Sequence, residues 1–202
     1  MLSIDFPPGS NPAYGYCCNN AIESNVYKID TSNSSVAAMP TPDDDTFYHL
    51  KSISFPSTDR GWTCGSSYAY PYNNNVWNGS EGGGETYSGL FFLDNTLLGW
   101  MVGTFGGNCL VKHYTGSSWN YQNISPAIPG TLNDVFFIDQ NNGWAVGTTG
   151  IVISTSNGGT TWAAQNSTIT SGDLLSVFFT SAHKGYSAGS NNTFLVYGEL
   201  IQ

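Results

Sequence analysis

The sequence is poor in charged residues, and basic residues are the scarcest of all. Only 9% of the 202 residues are charged, and five lysines and arginines stand against fourteen aspartates and glutamates, which leaves a formal net charge of −9. Binding to nucleic acid or to an anionic membrane surface needs clustered Lys and Arg side chains. The composition therefore argues against both kinds of partner.

Long hydrophobic runs are also missing. The sequence has no stretch of about 18 consecutive apolar residues, the length that indicates a membrane span. Residues 1–5 lack the basic and apolar regions of a secretory signal. We therefore expect no membrane span, and, if the protein is exported, we expect its leader to be absent from this sequence.

A repeated glycine–aromatic dipeptide is the strongest positive signal. It recurs at intervals of 38 to 46 residues, at Gly15-Tyr16, Gly61-Trp62, Gly99-Trp100, Gly143-Trp144 and Gly185-Tyr186. Self-similarity at about 40 to 45 residues is typical of β-propeller blades. Because the same residue type recurs in every unit, we interpret these aromatics as core residues that pack between blades.

A short apolar segment precedes each dipeptide, and each reads as a strand. The segments are 2–6, 50–55, 90–93, 132–137 and 174–179. We predict an all-β, five-bladed β-propeller with about 40 residues per blade, forming one domain over residues 1–202. The approximate blades are 1–47, 48–87, 88–129, 130–171 and 172–202.

Residues 155–162, Thr-Ser-Asn-Gly-Gly-Thr-Thr-Trp, resemble the Asp-box, with Thr155 for its serine and Asn157 for its aspartate. Such a box clamps a hairpin: its polar side chains bond turn backbone and its tryptophan covers the hairpin. Joined to residues 142–150, the segment resembles the propeller repeats of the photosystem II assembly and stability factor family. The resemblance implies the repeat type and not the photosynthetic role.

Aromatic residues outside the repeat pattern are the candidates for ligand binding. Tyrosine and tryptophan beside asparagine offer flat apolar faces next to hydrogen-bonding groups, which suits sugars and partner proteins alike. A polar loop whose tyrosines pack back onto their own blade is the alternative. The candidates are Tyr68, Tyr70, Tyr72, Asn74 and Trp77, with a second cluster at Trp119 and Tyr121.

The residues for catalysis are few. Sialidases share Asp-boxes, but their carboxylate-binding arginine cluster is excluded because Arg60 is the only arginine. A propeller glycosidase would need two convergent carboxylates; Asp5 with Asp59, Asp94 or Asp139 would be the pairs, and we interpret these residues as turn formers. We predict no enzyme activity, no metal site and no cofactor.

Cysteines and asparagines leave further alternatives open. Cys17, Cys18, Cys64 and Cys109 permit three disulfide pairings, and small buried thiols are the other interpretation. N-glycosylation sequons occur at Asn33, Asn78, Asn123, Asn166 and Asn191, a number close to random expectation.

The fifth repeat has too few residues for four strands, which leaves three alternatives: an open outer strand edge, a strand donated by a neighbouring molecule, or a sequence that is part of a longer protein. An open edge invites strand addition. We therefore predict self-association at the edge formed by Phe194, Leu195, Val196 and Tyr197.

These patterns together favour a non-catalytic recognition or structural propeller, extracellular or on a cell surface, that binds glycans or a partner protein through its loops. The alternative is an assembly factor or scaffold that grips a partner protein. A propeller glycosidase is the weaker alternative.

Overall fold

The computed structural model describes residues 3–9, 14–19, 25–40, 49–165 and 170–198. The described chain is built of β-strands joined by turns, apart from one turn of 3-10 helix at Thr148–Gly150. This confirms the predicted all-β fold class. The chain divides into two compact units, residues 1–97 and 98–202. The prediction of a single propeller domain over 1–202 stays a prediction.

The first unit contains two antiparallel groups of strands. One is a four-stranded sheet, ordered as in the sequence: β1 (Ser3–Asp5), β2 (Tyr14–Cys18), β3 (Val26–Asp30) and β4 (Ser35–Ala38). The other runs β5 (Leu50–Ser57), β6 (Arg60–Asn73) and β8 (Glu81–Phe92), with β7 (Val76–Trp77) paired to the end of β6. Strand β8 passes without a break through the predicted blade boundary at residue 87.

The second unit holds three groups of strands. The first is β9 (Leu98–Phe105), β10 (Asn108–Thr115) and β11 (Trp119–Tyr121). The second is β13 (Leu132–Phe137), β14 (Gly143–Gly147), β15 (Val152–Thr155) and β16 (Thr161–Ala164), with β12 (Asn123–Ile124) parallel to β16. The third has three strands in the described residues: β17 (Leu174–Ser181), β18 (Lys184–Gly189) and β19 (Phe194–Gly198).

In four of the dipeptides, the glycine lies directly against a phenylalanine ring of its own repeat. A Cβ atom on Gly61 would lie 2.5 Å from the ring of Phe55, and one on Gly143 would lie 2.4 Å from the ring of Phe137. Only a residue without a side chain lets the ring lie this close to the backbone. The glycine is therefore required by packing rather than by a turn.

The aromatic residue of three of the dipeptides packs between repeats. Tyr16 stacks on Phe55 with 3.9 Å between ring centroids, and Trp144 stacks on Phe179 at 3.7 Å. Trp100 stacks in the same way on Phe137, at 3.5 Å. Each phenylalanine belongs to the first strand of the next repeat, so the dipeptide aromatics are core residues there, as predicted.

Hydrogen bonds also join neighbouring repeats, and their acceptors are polar side chains on the first strands. In the first unit, Ser3 Oγ accepts the backbone N–H of Ile53 at 3.3 Å, and Ser52 Oγ accepts that of Leu90 at 3.1 Å. Asp134 Oδ2 accepts the N–H of Val177 at 2.8 Å in the second unit. These acceptors occupy the same repeat position, three residues before the phenylalanine, so stacking and backbone bonding recur together.

Candidate functional site

An exposed aromatic cluster of the second unit is built on the hairpin of β9 and β10. Phe105 pairs with Asn108 across a two-residue turn, Gly106-Gly107, in which both residues have positive φ. Such turns match the twist of the strands and favour glycine. The turn leaves Phe105 at the very end of β9, where 51% of its surface is exposed.

Tyr121 faces this phenylalanine from the short strand β11. Their ring centroids lie 6.3 Å apart, and 57% of Tyr121 is exposed. Lys112, which pairs with Tyr121 across the strands, is buried along its stem and holds its ammonium 4.6 Å from the centroid of the Tyr121 ring. This cation–π contact orients the tyrosine at the surface.

A cleft of about 300 Å³ lies beside these two rings. It forms because β11 pairs with β10 only at residues 112–114, while the chain returns to the edge of β10 at Ile128, whose carbonyl accepts the N–H of Cys109 at 2.8 Å. The lining combines apolar side chains with strand backbone. We call this the Phe105–Tyr121 cleft; its walls include Phe105, Cys109, Leu110, Tyr121, Ile124 and Ala127.

The chemistry of the cleft suits binding. Burial raises the pKa of the Cys109 thiol to about 11, so the thiol is protonated and a weak nucleophile at neutral pH. The two exposed rings offer contact area for apolar side chains. The cleft can therefore hold an extended apolar ligand.

The structure contradicts the prediction that most of the aromatic residues of the loop after residue 67 bind ligands. Tyr70, Tyr72 and Trp77 are buried in the core cluster of the first unit, where Tyr72 and Trp77 pack 5.0 Å apart by ring centroids. Their polar atoms turn inward or to the loop, as the Tyr72 hydroxyl does in bonding Asn75 at 3.2 Å. The alternative of tyrosines packed onto their own blade describes this loop.

The other two residues of that loop stay at the surface. Asn74 has a φ of 49° in the turn between β6 and β7, a conformation that asparagine tolerates well. Tyr68 is 37% exposed and lies 6.3 Å from Tyr70 by ring centroids. Of the first predicted cluster, the structure therefore leaves Tyr68 as the accessible ring.

In the second predicted cluster, the structure contradicts a ligand-binding role for Trp119 and leaves Tyr121 as a candidate. Trp119 is buried 5.2 Å from the ring of Tyr114, as the tryptophan of a decayed Asp-box would be. Phe105 was missed because it has no aromatic neighbour in sequence. The available signal was an aromatic residue directly before Gly106-Gly107, where a hairpin would expose it.

The cysteines do not form disulfides in this structure. All four are free thiols; Cys17, Cys18 and Cys64 are buried, and Cys109 is half-buried. Burial raises the pKa of Cys18 to about 11 and raises that of Cys64 further. Of the two alternatives left open by the sequence, this structure agrees with small buried thiols at Cys17, Cys18 and Cys64, which pack as apolar groups.

The predicted sequons and strand edge lie at the surface where they are described. Asn33, Asn78, Asn123 and Asn191 are exposed, and Asn166 lies outside the described residues. Strand β19 is the outer strand of its sheet in the described part of the chain, with Phe194 and Val196 exposed and Leu195 and Tyr197 half-buried. Glycosylation and edge pairing stay predictions.

The carboxylates weighed for glycosidase chemistry have local roles. Asp139 Oδ1 accepts the backbone N–H groups of Asn141 and Asn142 at 2.7 and 2.8 Å, as a turn former does. Asp5 instead bonds the backbone N–H of Phe55 in the next repeat. Burial raises the pKa of Asp5, and the charge of Asp94 adds to this.

The described residues hold no group of three or more His, Cys, Asp or Glu side chains that could bind a metal ion. The described parts of the chain also contain no helix long and apolar enough to cross a membrane.

Comparisons with known proteins agree on the type of repeat. Residues 99–198 match the sequence model of the family described as "Photosynthesis system II assembly factor YCF48". No curated protein sequence matches the chain.

Solved propellers resemble the structure. YCF48 from Cyanidioschyzon merolae is 14% identical, with a TM-score of 0.65 over 91% of this chain and 66% of that one. YCF48 bound to D1 peptide is 17% identical, with a TM-score of 0.57 over 74% and 50%. U3-55K is 11% identical, with a TM-score of 0.73 over 98% and 60%. The chain spans between half and two thirds of the length of these structures.

The sequence match and the structural features indicate the same type of repeat. The glycine-seated phenylalanine and the interblade aromatic recur in both units, and the Asp-box hairpin lies within the matched residues. The chain is an all-β propeller built from repeats of the photosystem II assembly factor type.

Proposed function

We propose that this protein is a non-catalytic scaffold that grips an extended segment of a partner protein in the Phe105–Tyr121 cleft. The observation that carries the proposal is the pair of exposed aromatic rings, 6.3 Å apart, beside a cleft of about 300 Å³. Exposed aromatic residues are common anchors of protein interfaces.

The comparisons support a peptide ligand over a glycan. The matched family consists of assembly factors, and one similar structure is bound to a peptide. Tyr70, Tyr72 and Trp77, which the sequence favoured for binding sugars or partner proteins alike, are buried. The alternative predicted from sequence, an assembly factor that grips a protein, therefore has the stronger support.

The cleft indicates the chemistry of the segment it would hold. Phe105, Tyr121, Ile124 and Ala127 offer apolar contacts, so aliphatic or aromatic side chains fit best. The protein's net charge of −9 favours approach of a neutral or basic segment.

The test is binding of peptides to single variants. A library of extended 12-residue peptides is selected against the wild-type protein, and the affinity of the selected peptides is measured by calorimetry. We expect Tyr121→Ala and Phe105→Ala each to weaken binding by about tenfold or more, as expected for aromatic anchors. Both side chains are exposed, so the thermal midpoint should change little.

Tyr68→Ala is the matched control, because it removes an exposed tyrosine of the first unit. Its affinity for the peptides should equal that of the wild type. Loss of binding in Tyr68→Ala with none in Tyr121→Ala would contradict the proposed site. A glycan array run in parallel would favour the lectin interpretation if sugars bind and no peptide does.

The proposal keeps two expectations from the sequence, the absence of catalysis and an exported location. The turn and interrepeat roles of Asp139 and Asp5 support the first. The low lysine content supports the second, and the exposed sequons are compatible with it.

A further inference from the structure

Three Asn–Gly pairs occur in the sequence, at Asn78-Gly79, Asn142-Gly143 and Asn157-Gly158. In such a pair, the backbone nitrogen of the glycine can attack the side-chain amide carbon of the asparagine. Glycine has no side chain to hinder the attack, and it adopts a wide range of backbone conformations. Because the three pairs share this intrinsic reactivity, their surroundings in the folded protein decide which of them reacts.

The pair Asn142-Gly143 is held by a turn and by strand pairing. Asn142 Nδ2 donates to the Asp139 carboxylate at 2.9 and 3.2 Å, and the Asn142 backbone N–H donates to the same carboxylate at 2.8 Å. Gly143 is buried at the start of β14, where it pairs with Phe137 and Thr155 in the two adjacent strands. Attack at this pair would require the turn and the strand to open.

The pair Asn157-Gly158 is held within the Asp-box hairpin. Asn157 Nδ2 donates to Thr161 Oγ1 at 2.9 Å, and Asn157 Oδ1 accepts the Thr155 hydroxyl at 2.9 Å. The backbone N–H of Gly158, which would supply the attacking nitrogen, donates to the carbonyl of Asn141 at 2.9 Å. Both reacting groups are therefore engaged in hydrogen bonds.

The pair Asn78-Gly79 lies in the connection between β7 and β8, outside the strands, and both residues are exposed. Asn78 Nδ2 donates to the carbonyl of Val76 at 3.2 Å, a long hydrogen bond. Gly79 has a φ of 33°, and no described atom beyond its chain neighbours lies within 4 Å of the position that a Cβ atom would take. The backbone at this pair can rotate without breaking strand pairing.

We propose that Asn78 is a site of spontaneous deamidation, with water as the co-reactant. The Gly79 backbone nitrogen loses its proton to solvent base and forms a bond to Asn78 Cγ. The bond from Cγ to Nδ2 breaks, and that nitrogen takes up a proton from water and leaves as ammonia. Water then opens the cyclic imide at either carbonyl, which gives aspartate or isoaspartate. In total, one water is consumed and one ammonia is released, with no oxidation or reduction.

The modification acts on the edge of the first unit's core. Either product adds one negative charge to a protein that already carries −9. Isoaspartate also reroutes the main chain directly after Trp77, which is buried in that core. The backbone N–H of Asn78 donates to the carbonyl of Pro71 at 2.9 Å, so we expect isoaspartate to loosen β7 from β6. Conversion also removes the sequon at Asn78.

Peptide mapping by mass spectrometry tests the proposal within one chain. The wild type is incubated at mildly alkaline pH, folded and in urea, and conversion to aspartate and isoaspartate is measured at all three pairs. In the folded protein, Asn78 should convert at least about tenfold faster than Asn142 and Asn157, because hydrogen bonds must first open at those two pairs. In urea, the three rates should become similar, since the pairs are then equally accessible.

Similar rates at the three pairs in the folded protein would overturn the proposal. So would an unchanged Asn78 after the time in which the sample in urea converts.

Two variants test the chemistry at the pair. Asn78→Gln lengthens the side chain and should abolish conversion at residue 78, while the rates at Asn142 and Asn157 stay those of the wild type. Gly79→Ala places a methyl group where the structure has room and hinders the backbone nitrogen, so conversion at Asn78 should slow. Circular dichroism checks that both variants keep the strand content of the wild type. An undiminished rate in Gly79→Ala would indicate direct hydrolysis by water and would overturn attack by the backbone.

Discussion

At the scale of single residues, Asp134 places a carboxylate in a buried repeat position, which costs free energy when the group is charged. Its carboxylate accepts the N–H groups of Val177 at 2.8 Å and Val135 at 2.9 Å. Burial nevertheless dominates and raises the pKa of Asp134 from 3.8 to about 6. Ser3 and Ser52 perform the same bonding task without a charge.

This difference predicts a pH-dependent effect of Asp134→Ser. The folded protein holds the Asp134 proton more tightly than the unfolded chain, so the wild-type free energy of unfolding falls as pH rises from about 4 to about 6. A shift of this size corresponds to about 3 kcal/mol. Relative to wild type, Asp134→Ser should therefore gain about that much between pH 4 and pH 7 in urea unfolding. An equal pH profile for the two proteins would show that Asp134 is not buried as described.

At the scale of elements, the Asp-box hairpin between β15 and β16 performs the clamp role that its sequence predicts. Thr155 Oγ1 accepts the N–H of Gly159 at 3.0 Å, and Asn157 Oδ1 accepts that of Thr161 at 3.0 Å. Trp162 is buried edge-on against Phe137. The hairpin is also held from the preceding repeat, since Trp100 Nε1 donates to the carbonyl of Gly158 at 3.0 Å.

Replacing Trp100 distinguishes the contribution of this hydrogen bond to stability from that of ring stacking. Trp100→Phe keeps a ring against Phe137 and removes the donor, which should lower the free energy of unfolding by roughly 1 to 3 kcal/mol. Trp144→Phe is the matched control, because Trp144 makes the equivalent stacking contact with Phe179. Its loss should be smaller, and equal losses in chemical denaturation would assign the effect to ring size.

At the scale of the whole molecule, net charge selects which segments approach the Phe105–Tyr121 cleft. The protein carries a net charge of −9, so it attracts basic segments and repels acidic ones. Added salt screens both effects.

Binding of basic peptides to the proposed cleft should therefore weaken with salt. Between about 20 and 500 mM NaCl, the screening length falls from roughly 20 to 4 Å, so the dissociation constant of a basic peptide measured by calorimetry should rise, while that of a neutral peptide should change little. An equal salt dependence for the two peptides would contradict a role of net charge in binding.

The candidate site was only partly accessible to sequence reasoning. Tyr121 was found because it breaks the repeat, but the same criterion selected Tyr70, Tyr72 and Trp77, which are buried. Both groups are aromatic residues near asparagines, and composition alone does not distinguish them. Their difference is set by the turn at Asn74-Asn75, which folds β7 back onto β6 and turns Trp77 into the core.

The sequence by itself determined the all-β repeat, the packing role of the dipeptide aromatics and the Asp-box clamp, because each depends on local periodicity and on short-range hydrogen bonding. Tertiary structure decided which aromatics reach the surface and which sulfur atoms stay unbridged. Those outcomes depend on contacts between residues some forty positions apart, as in Tyr16 with Phe55, where burial of one ring depends on another repeat being in place.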